Sequence, residues 1–434
     1  MRILLTGLCS VHKGRIEYGN IGNYYIVEVA IRELHRVFPD AEIVTTFQMN
    51  EEFAAKERIT VLPLDIYYDW SENDLDIALK ELAIGNLYNQ TGTIIKTTAF
   101  IDEIIKCDWV CDFSGEMWGD HAEPVGKNRF IINLIKMRVA QLFNIKTVLL
   151  AGSQGPFNLT GNIKPFAQLV YKNFTKVLNR ESASLELLEK NGFDISNSKS
   201  FTDPAFLFEP ENQNSIIEIL KNDNILSDDK KTIGFVLCGF NMLEGPYDKE
   251  PRREDEFSQF AELVEYMVNE FDVRVFFMSH QNGFEKEPFK FINGRDYPYA
   301  KTLHDIVIKR GKVNPDMVIC AKGPYNPRET KAIIKNFDMF VSGRIHAFVA
   351  AVSQSVPTVI INRGFGGISH RNIGFAKSVG MEDFVSSPSS INDMKEKVKL
   401  CWEQREELKK ILDERIVEVK KKAHELFDNL KQAN

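Results

Sequence analysis

Arg344 and His346 stand two residues apart in the run Ser342-Gly343-Arg344-Ile345-His346-Ala347. A guanidinium holds a carboxylate or phosphate through paired hydrogen bonds. An imidazole takes up or releases a proton near neutral pH. Together they suit proton-transfer chemistry on a small anionic substrate. The same pair could instead cap a helix and bind a neighbouring carboxylate, so their setting decides. Before them, Phe337-Asp338-Met339-Phe340-Val341 reads as a buried strand; after them, Phe348-Val349-Ala350-Ala351-Val352 reads as the first turns of a helix. A strand-to-helix turn in an α/β sheet exposes backbone N–H groups where anions bind.

Other segments carry chemistry-bearing residues at similar turns. Gly19-Asn20-Ile21-Gly22-Asn23 opens the first predicted helix. Its glycines allow close backbone approach, Asn20 and Gly22 become binding candidates, and Asn23 is a candidate cap. The spacing matches neither the dinucleotide nor the P-loop fingerprint. Ser114-Gly115-Glu116-Met117-Trp118-Gly119-Asp120 follows a predicted strand. There Glu116 and Asp120 could act as a base or hold a sugar hydroxyl, and Trp118 could stack on a sugar face. Ser153-Gln154-Gly155-Pro156 follows another strand, Arg180 opens a helix where it could reach an anion, and Asp203-Pro204-Ala205 reads as a turn. His280 closes a strand expected over 273–278. No HExxH and no Cys/His cluster occurs, so no metal site is expected. Asp74-Leu75-Asp76 lies in a helix-like acidic stretch, which suits a solvated face better than a metal.

These turns need a scaffold. Strands are expected at 3–8, 42–46, 109–113 and 147–150, with helices at 24–37, near 94–105, and at 127–142, 166–178 and 182–191. The alternation implies a mostly parallel sheet with helices on both faces. Residues 210–231 are rich in Asn, Asp, Glu and Lys and read as a linker with one short helix. A second α/β series then begins, with strands at 232–237, 273–278, 317–320, 339–342 and 358–361, and helices at 257–270, 302–310, 328–336 and 347–354. A long charged amphipathic helix is expected over 391–430. The predicted organisation is an N-terminal α/β domain over 1–209, a C-terminal α/β domain over 232–390 and a helical segment over 391–434. Two such domains would face a cleft, where small-molecule sites gather.

The 434 residues carry 44% hydrophobic and 26% charged side chains, which excludes a disordered chain. A net charge of −7 argues against a general nucleic-acid partner. The six cysteines form no CxxC pair and no dense framework, so a reducing compartment is expected. No secretory leader is expected, since the first strand meets Gly7 too early, and no apolar run is long enough to span a membrane.

The segments, in order, resemble the polysaccharide pyruvyl transferases. The resemblance rests on Gly19-Asn20-Ile21-Gly22-Asn23, Phe113-Ser114-Gly115-Glu116, Gln154-Gly155-Pro156, Arg180-Glu181-Ser182, Asp203-Pro204-Ala205, and the block from Ser342 through Thr358. It covers nearly the whole chain. It implies two Rossmann-like domains as in B-type glycosyltransferases. It also implies transfer of pyruvate from phosphoenolpyruvate to a sugar of a cell-surface glycan or exopolysaccharide as a ketal, with phosphate released. By the family's pattern, Arg344 and His346 match the donor-site arginine and histidine, with Arg180 a second anion ligand. His346 is the expected proton donor and acceptor, and Glu116 a candidate base for the hydroxyl. Ser114, Gly115, Gln154, His280, Asn20, Gly22 and Asn23 complete the expected binding set. Asn23 stands where an acid is usual, and Glu116 where a second glycine is common; both bear on the acceptor side. No cofactor is expected beyond phosphoenolpyruvate as donor. The acceptor would be a glycan or lipid-linked sugar, and the location cytoplasmic or at the inner membrane face. The rival readings are a nucleotide-sugar glycosyltransferase of the same fold and a non-catalytic glycan-binding protein.

Overall fold

The computed structural model describes residues 1–7, 19–119, 122, 128–159, 161–225, 230–285, 290–365 and 369–432. The chain divides into two compact units. One comprises Met1–Ile16, Val27–Pro204 and Lys422–Asn434, and the other Glu17–Ile26 and Ala205–Lys421. Asp120 and Cys9 lie outside the described residues.

The first unit is built on a parallel sheet. Its strands are β1 (Arg2–Thr6), β2 (Glu42–Thr45), β3 (Ile59–Val61), β4 (Trp109–Asp112), β5 (Lys146–Gly152), β6 (Lys176–Asn179) and β7 (Ser198–Ser200). They run in the order β3-β2-β1-β4-β5-β6-β7. Leu4 on β1 lies beside Val44 and Val110 on its two neighbours. All three are fully buried, as expected of a parallel sheet covered on both faces.

The second unit repeats the plan. Strands β8 (Thr232–Val236), β9 (Arg274–Phe277), β12 (Val318–Cys320), β13 (Met339–Ser342), β14 (Thr358–Ile361) and β15 (Val385–Ser386) run in the order β12-β9-β8-β13-β14-β15. Strands β10 (Gly283–Glu285) and β11 (Lys290–Ile292) form a separate antiparallel pair. Both main sheets reverse their winding beside the first strand, between β1 and β4 and between β8 and β13. Chains diverge at such a switch point and leave a crevice at the strands' C-terminal ends.

The expected helix over 166–178 is two elements. A helix ends at Lys172, with Asn173 Nδ2 turned back on the Leu169 carbonyl at 2.8 Å, and β6 begins at Lys176. Val177 and Leu178 are fully buried, and a short buried strand has no period to separate it from a helix. The expected helix near 94–105 is confined to Ala99–Ile104, while a longer one covers Asp74–Thr91. The helix His370–Val379 and strand β15 were not expected from the sequence. The final helix runs unbroken over Ile391–Lys431.

Candidate functional site

The switch point of the second sheet is stapled by one residue. Asn241, in the turn after β8, is 1% exposed. Its Nδ2 donates to the carbonyls of Gly343, Ile361 and Asn362 at 3.2, 3.0 and 3.2 Å, and its Oδ1 accepts from the Cys238 N–H at 3.0 Å. The ends of β8, β13 and β14 are thus tied to a single side chain. A Cβ on Gly343 would collide with Asn241 Oδ1 and come within 2.8 Å of the Val236 carbonyl. Only glycine fits between Ser342 and Arg344.

The chain turns at Arg344 into the helix Ile345–Val352. Ile345 is buried, while Arg344 and His346 are partly exposed. Arg344 is held firmly. Its Nε donates to Asp296 Oδ2 at 2.6 Å, and its Nη2 donates to Asp296 Oδ1 at 2.5 Å and to Gln281 Oε1 at 2.6 Å. Asp296 is fully buried and also accepts from the His280 N–H at 3.1 Å. Burial works against the Arg344 charge, but Asp296 and then Cys238 outweigh it and hold the guanidinium above its ordinary range. With Nε and Nη2 engaged by protein, Nη1 is the part of the fork with no hydrogen bond to Asp296 or Gln281.

His280 is the second histidine of this region. Burial, then the charges of Arg344 and His346, hold its pKa well below the usual imidazole value, so its ring is neutral at pH 7. It packs edge-on against Tyr25 with ring centroids 5.5 Å apart.

The Gly19–Asn23 segment joins the same place. Asn20 bridges Gln281 in antiparallel fashion, and the Asn282 N–H reaches the Gly19 carbonyl at 3.2 Å. Gln281 therefore links this segment to Arg344. The cap of the helix Ile21–Val37 is Asn20, whose Oδ1 accepts from the Asn23 N–H at 3.2 Å; Asn23 lies inside the helix rather than capping it. Gly22 faces His346 directly, and a Cβ there would come within 2.7 Å of the His346 Cβ. His346 also meets Phe375 edge-on at 6.3 Å. Five sequence candidates, Asn20, Gly22, His280, Arg344 and His346, are thus assembled within the second unit.

Ser114, Gly115, Gln154 and Arg180 belong to the first unit and lie in a buried network. Arg180 is 3% exposed; its Nη1 pairs with Asp203 at 3.1 Å and its Nε donates to Ser153 Oγ at 2.8 Å. Gly115 lies against it, an added Cβ standing 3.5 Å from the guanidinium. The Ser153 N–H donates to the Gly115 carbonyl at 2.9 Å. Gln154 is fully buried and accepts from the Tyr171 hydroxyl at 2.5 Å. Trp118 is also fully buried, its Nε1 donating to Asp112 Oδ1 at 2.7 Å, so it is a core residue and presents no face to a sugar. Asp112 further accepts from the Ser114 N–H at 3.0 Å and the Tyr67 hydroxyl at 3.2 Å. Burial pushes its carboxyl pKa up, against these donors. Glu116 is partly exposed.

Asn241, Gln281, Asp296 and Asp112 carried no signal in the sequence. Each acts through a partner distant in the chain. No group of three or more His, Cys, Asp or Glu side chains placed to hold a metal occurs among the described residues. No helix of the described chain is long and apolar enough to cross a membrane.

Comparison with known proteins follows the same lines. The chain is 21% identical over 410 residues to the amylovoran biosynthesis protein AmsJ of Erwinia amylovora, covering 91% of this chain and 89% of AmsJ. Among solved structures it is similar to a glycosyltransferase from Rickettsia africae, with a TM-score of 0.57, 12% identity and coverage of 100% and 97%. Anabaena HepE, in complex with UDP-glucose, gives a TM-score of 0.57 at 12% identity with both chains fully covered. UDP-GlcNAc 2-epimerase from Neisseria meningitidis gives 0.56 at 10% identity, covering 100% of this chain and 99% of the epimerase. These likenesses show the fold, the paired α/β architecture of B-type glycosyltransferases. Residues 20–364 match the polysaccharide pyruvyl transferases, a span that holds the Asn20 segment, the Arg180 network and the Arg344 turn; the chain belongs to that family.

Proposed function

We propose that the protein transfers pyruvate from phosphoenolpyruvate to two hydroxyls of a sugar in an exopolysaccharide or its precursor, forming a ketal and releasing phosphate. One observation carries this reading. An arginine oriented by a buried carboxylate stands two residues before a partly exposed histidine, at the switch point of a parallel sheet. Phosphoenolpyruvate carries a carboxylate and a phosphate, and the Arg344 guanidinium complements either. His346 protonates the methylene carbon, which makes C2 electrophilic. A sugar hydroxyl adds to C2 and gives up its proton, the C–O bond to phosphate breaks and the phosphate leaves with one proton, and the second hydroxyl closes the ketal as its proton returns to His346. Glu116 is the candidate acceptor of the hydroxyl proton. Asp296 is a positioning residue, since it fixes the Arg344 fork. Arg180 serves in this reading to hold the Gly115 loop through Asp203 and Ser153, in place of the anion-ligand role its sequence context suggests. The scheme asks for no metal or cofactor.

The experiment is phosphate release from phosphoenolpyruvate against a panel of lipid-linked and nitrophenyl sugars. Acceptor-dependent release with a ketal product supports the reading. The likeness to HepE favours a second one, a glycosyltransferase using a nucleotide sugar. UDP-glucose consumption with the same acceptors, and none of phosphoenolpyruvate, would establish that alternative instead.

A further inference from the structure

The second unit holds a cavity of about 610 Å³ at the N-terminal ends of β13 and β14, the opposite edge of the sheet from Arg344. Asn336 and Asp338 line it just before β13, and Ser355 and Pro357 just before β14. The final helix closes it with Arg405, Lys409, Asp413 and Lys420. Its lining therefore shares no residue with the site described above.

Three features point to a ligand. Lys335, Lys409 and Lys420 line the cavity with no hydrogen-bond or ion-pair partner among the described residues. Lys331 is 2% exposed yet uses one N–H, donated to the Phe208 carbonyl at 2.6 Å. Gln354 presents a buried Oε1 with no hydrogen-bond partner among the described residues. The amide cannot be turned to relieve this, because its Nε2 donates to the carbonyls of Lys331 and Ala350 at 2.8 and 2.9 Å. Buried acceptors without donors are rare.

The charges select the kind of ligand. Four acids, Glu209, Asp338, Glu406 and Asp413, also line the cavity. Asp338 accepts from the Thr232 N–H at 2.8 Å and pairs with Lys231 at 3.4 Å, and Asp413 accepts from the Ser355 hydroxyl. The C-terminal ends of the helices Pro327–Ile334 and Ile345–Val352 reach the same edge, each equivalent to about half a negative charge. The lining is thus close to neutral overall, with three lysines and one acceptor, Gln354 Oε1, that have no partner among the described residues. A bare polyanion would meet too many acids. A molecule with one anionic group and several hydroxyls would satisfy both sets.

We propose that this cavity binds a small polyhydroxylated phosphate ester of the sugar-phosphate class, its phosphate among the lysines and a hydroxyl donated to Gln354 Oε1. Tyr25 and Phe208 pack beside Lys331, whose Nζ lies 6.0 and 5.9 Å from their ring centroids.

Calorimetric titration with glucose 1-phosphate tests this. The wild type should bind saturably, and more tightly than it binds glucose or inorganic phosphate by roughly tenfold. Arg344→Ala should bind equally well, which separates this site from the proposed donor site. Lys335→Ala/Lys409→Ala should weaken binding at least about tenfold. Both lysines are exposed, so the fold should survive, as circular dichroism would verify. Gln354→Leu should weaken binding severalfold. Absence of saturable heat in the wild type, unchanged affinity in the double variant, or loss in Arg344→Ala would each overturn the proposal. So would inorganic phosphate binding as well as the ester. Flotation with phosphatidylinositol vesicles, without heat from the soluble ester, would place the same chemistry on a lipid and overturn the soluble ligand.

Discussion

Arg344 and His346 divide the proposed work between holding and proton transfer, and substitution should separate the two. Arg344→Ala should abolish the rise in melting temperature that phosphoenolpyruvate confers by linkage. Arg344→Lys should recover little, because an ammonium cannot make the fork to Asp296. An unchanged shift in Arg344→Ala would remove this arginine from the donor site. His346→Ala should instead cut kcat by roughly 10²–10⁴-fold, the usual size of general acid–base catalysis, with donor binding largely kept. Normal turnover with poor donor affinity would make His346 a binding residue. Asp296→Asn distinguishes positioning from folding. It keeps the shape but leaves the partly exposed guanidinium without its full charge partner. KM for phosphoenolpyruvate should rise by roughly tenfold with a smaller change in kcat. A wild-type KM in a folded Asp296→Asn protein would show that the ion pair does not orient the fork.

Helix and turn geometry decide whether those side chains can meet the substrate. The helix Ile21–Val37 starts against His346 because Gly22 lacks a side chain. In an exposed helix, Gly→Ala would be stabilising by up to about 1 kcal/mol. At position 22 the methyl group meets the His346 ring and its Cβ, so the sign reverses. We expect Gly22→Ala to destabilise by about 1–3 kcal/mol through overpacking. It should also lower kcat by displacing His346. Urea denaturation and steady-state kinetics read the two effects. A stabilised, fully active Gly22→Ala protein would mean that the helix start and His346 are not in contact. Asn241 plays the complementary part, since its one carboxamide donates to three strand-end carbonyls, those of Gly343, Ile361 and Asn362.

For the molecule as a whole, Lys331 is the clearest source of pH-dependent stability. Burial, then the nearby charge of Lys420, lowers its pKa from 10.5 to about 7, with Glu209 opposing. Between those values the unfolded chain binds the proton and the folded protein releases it. Stability from this group is therefore present in full above about pH 10.5 and is lost as the pH falls toward 7. The slope is at most about 1.4 kcal/mol per pH unit. Lys331→Met keeps the volume and removes the proton. Its unfolding free energy should vary less with pH over this range than the wild type's, and exceed it near neutrality. Parallel urea titrations at several pH values check this, and identical pH dependence in the two proteins would sink it.

Much of the fold is legible in local sequence pattern. Strands β13 and β14 are legible to the residue at Met339–Ser342 and Thr358–Ile361, because short apolar runs bounded by polar or turn residues specify buried strands locally. The α/β class follows from the alternation of such runs with helical spacing, and the Arg-x-His turn from its place between a strand and a helix. Other features are properties of distance. Asp296 is an unremarkable acid before a helix until 48 residues of chain bring it to Arg344. Gly22 and His346 are over 300 positions apart and touch only because the Asn20 segment pairs with Gln281. Trp118 and Arg180 look like ligand-facing residues in a local reading. The tertiary structure buries both, since Asp112 and Asp203 supply the polar partners that make burial affordable. Local pattern sets which element a residue belongs to; only packing across the sheet decides whether its polar atoms are consumed by the protein or left for a substrate.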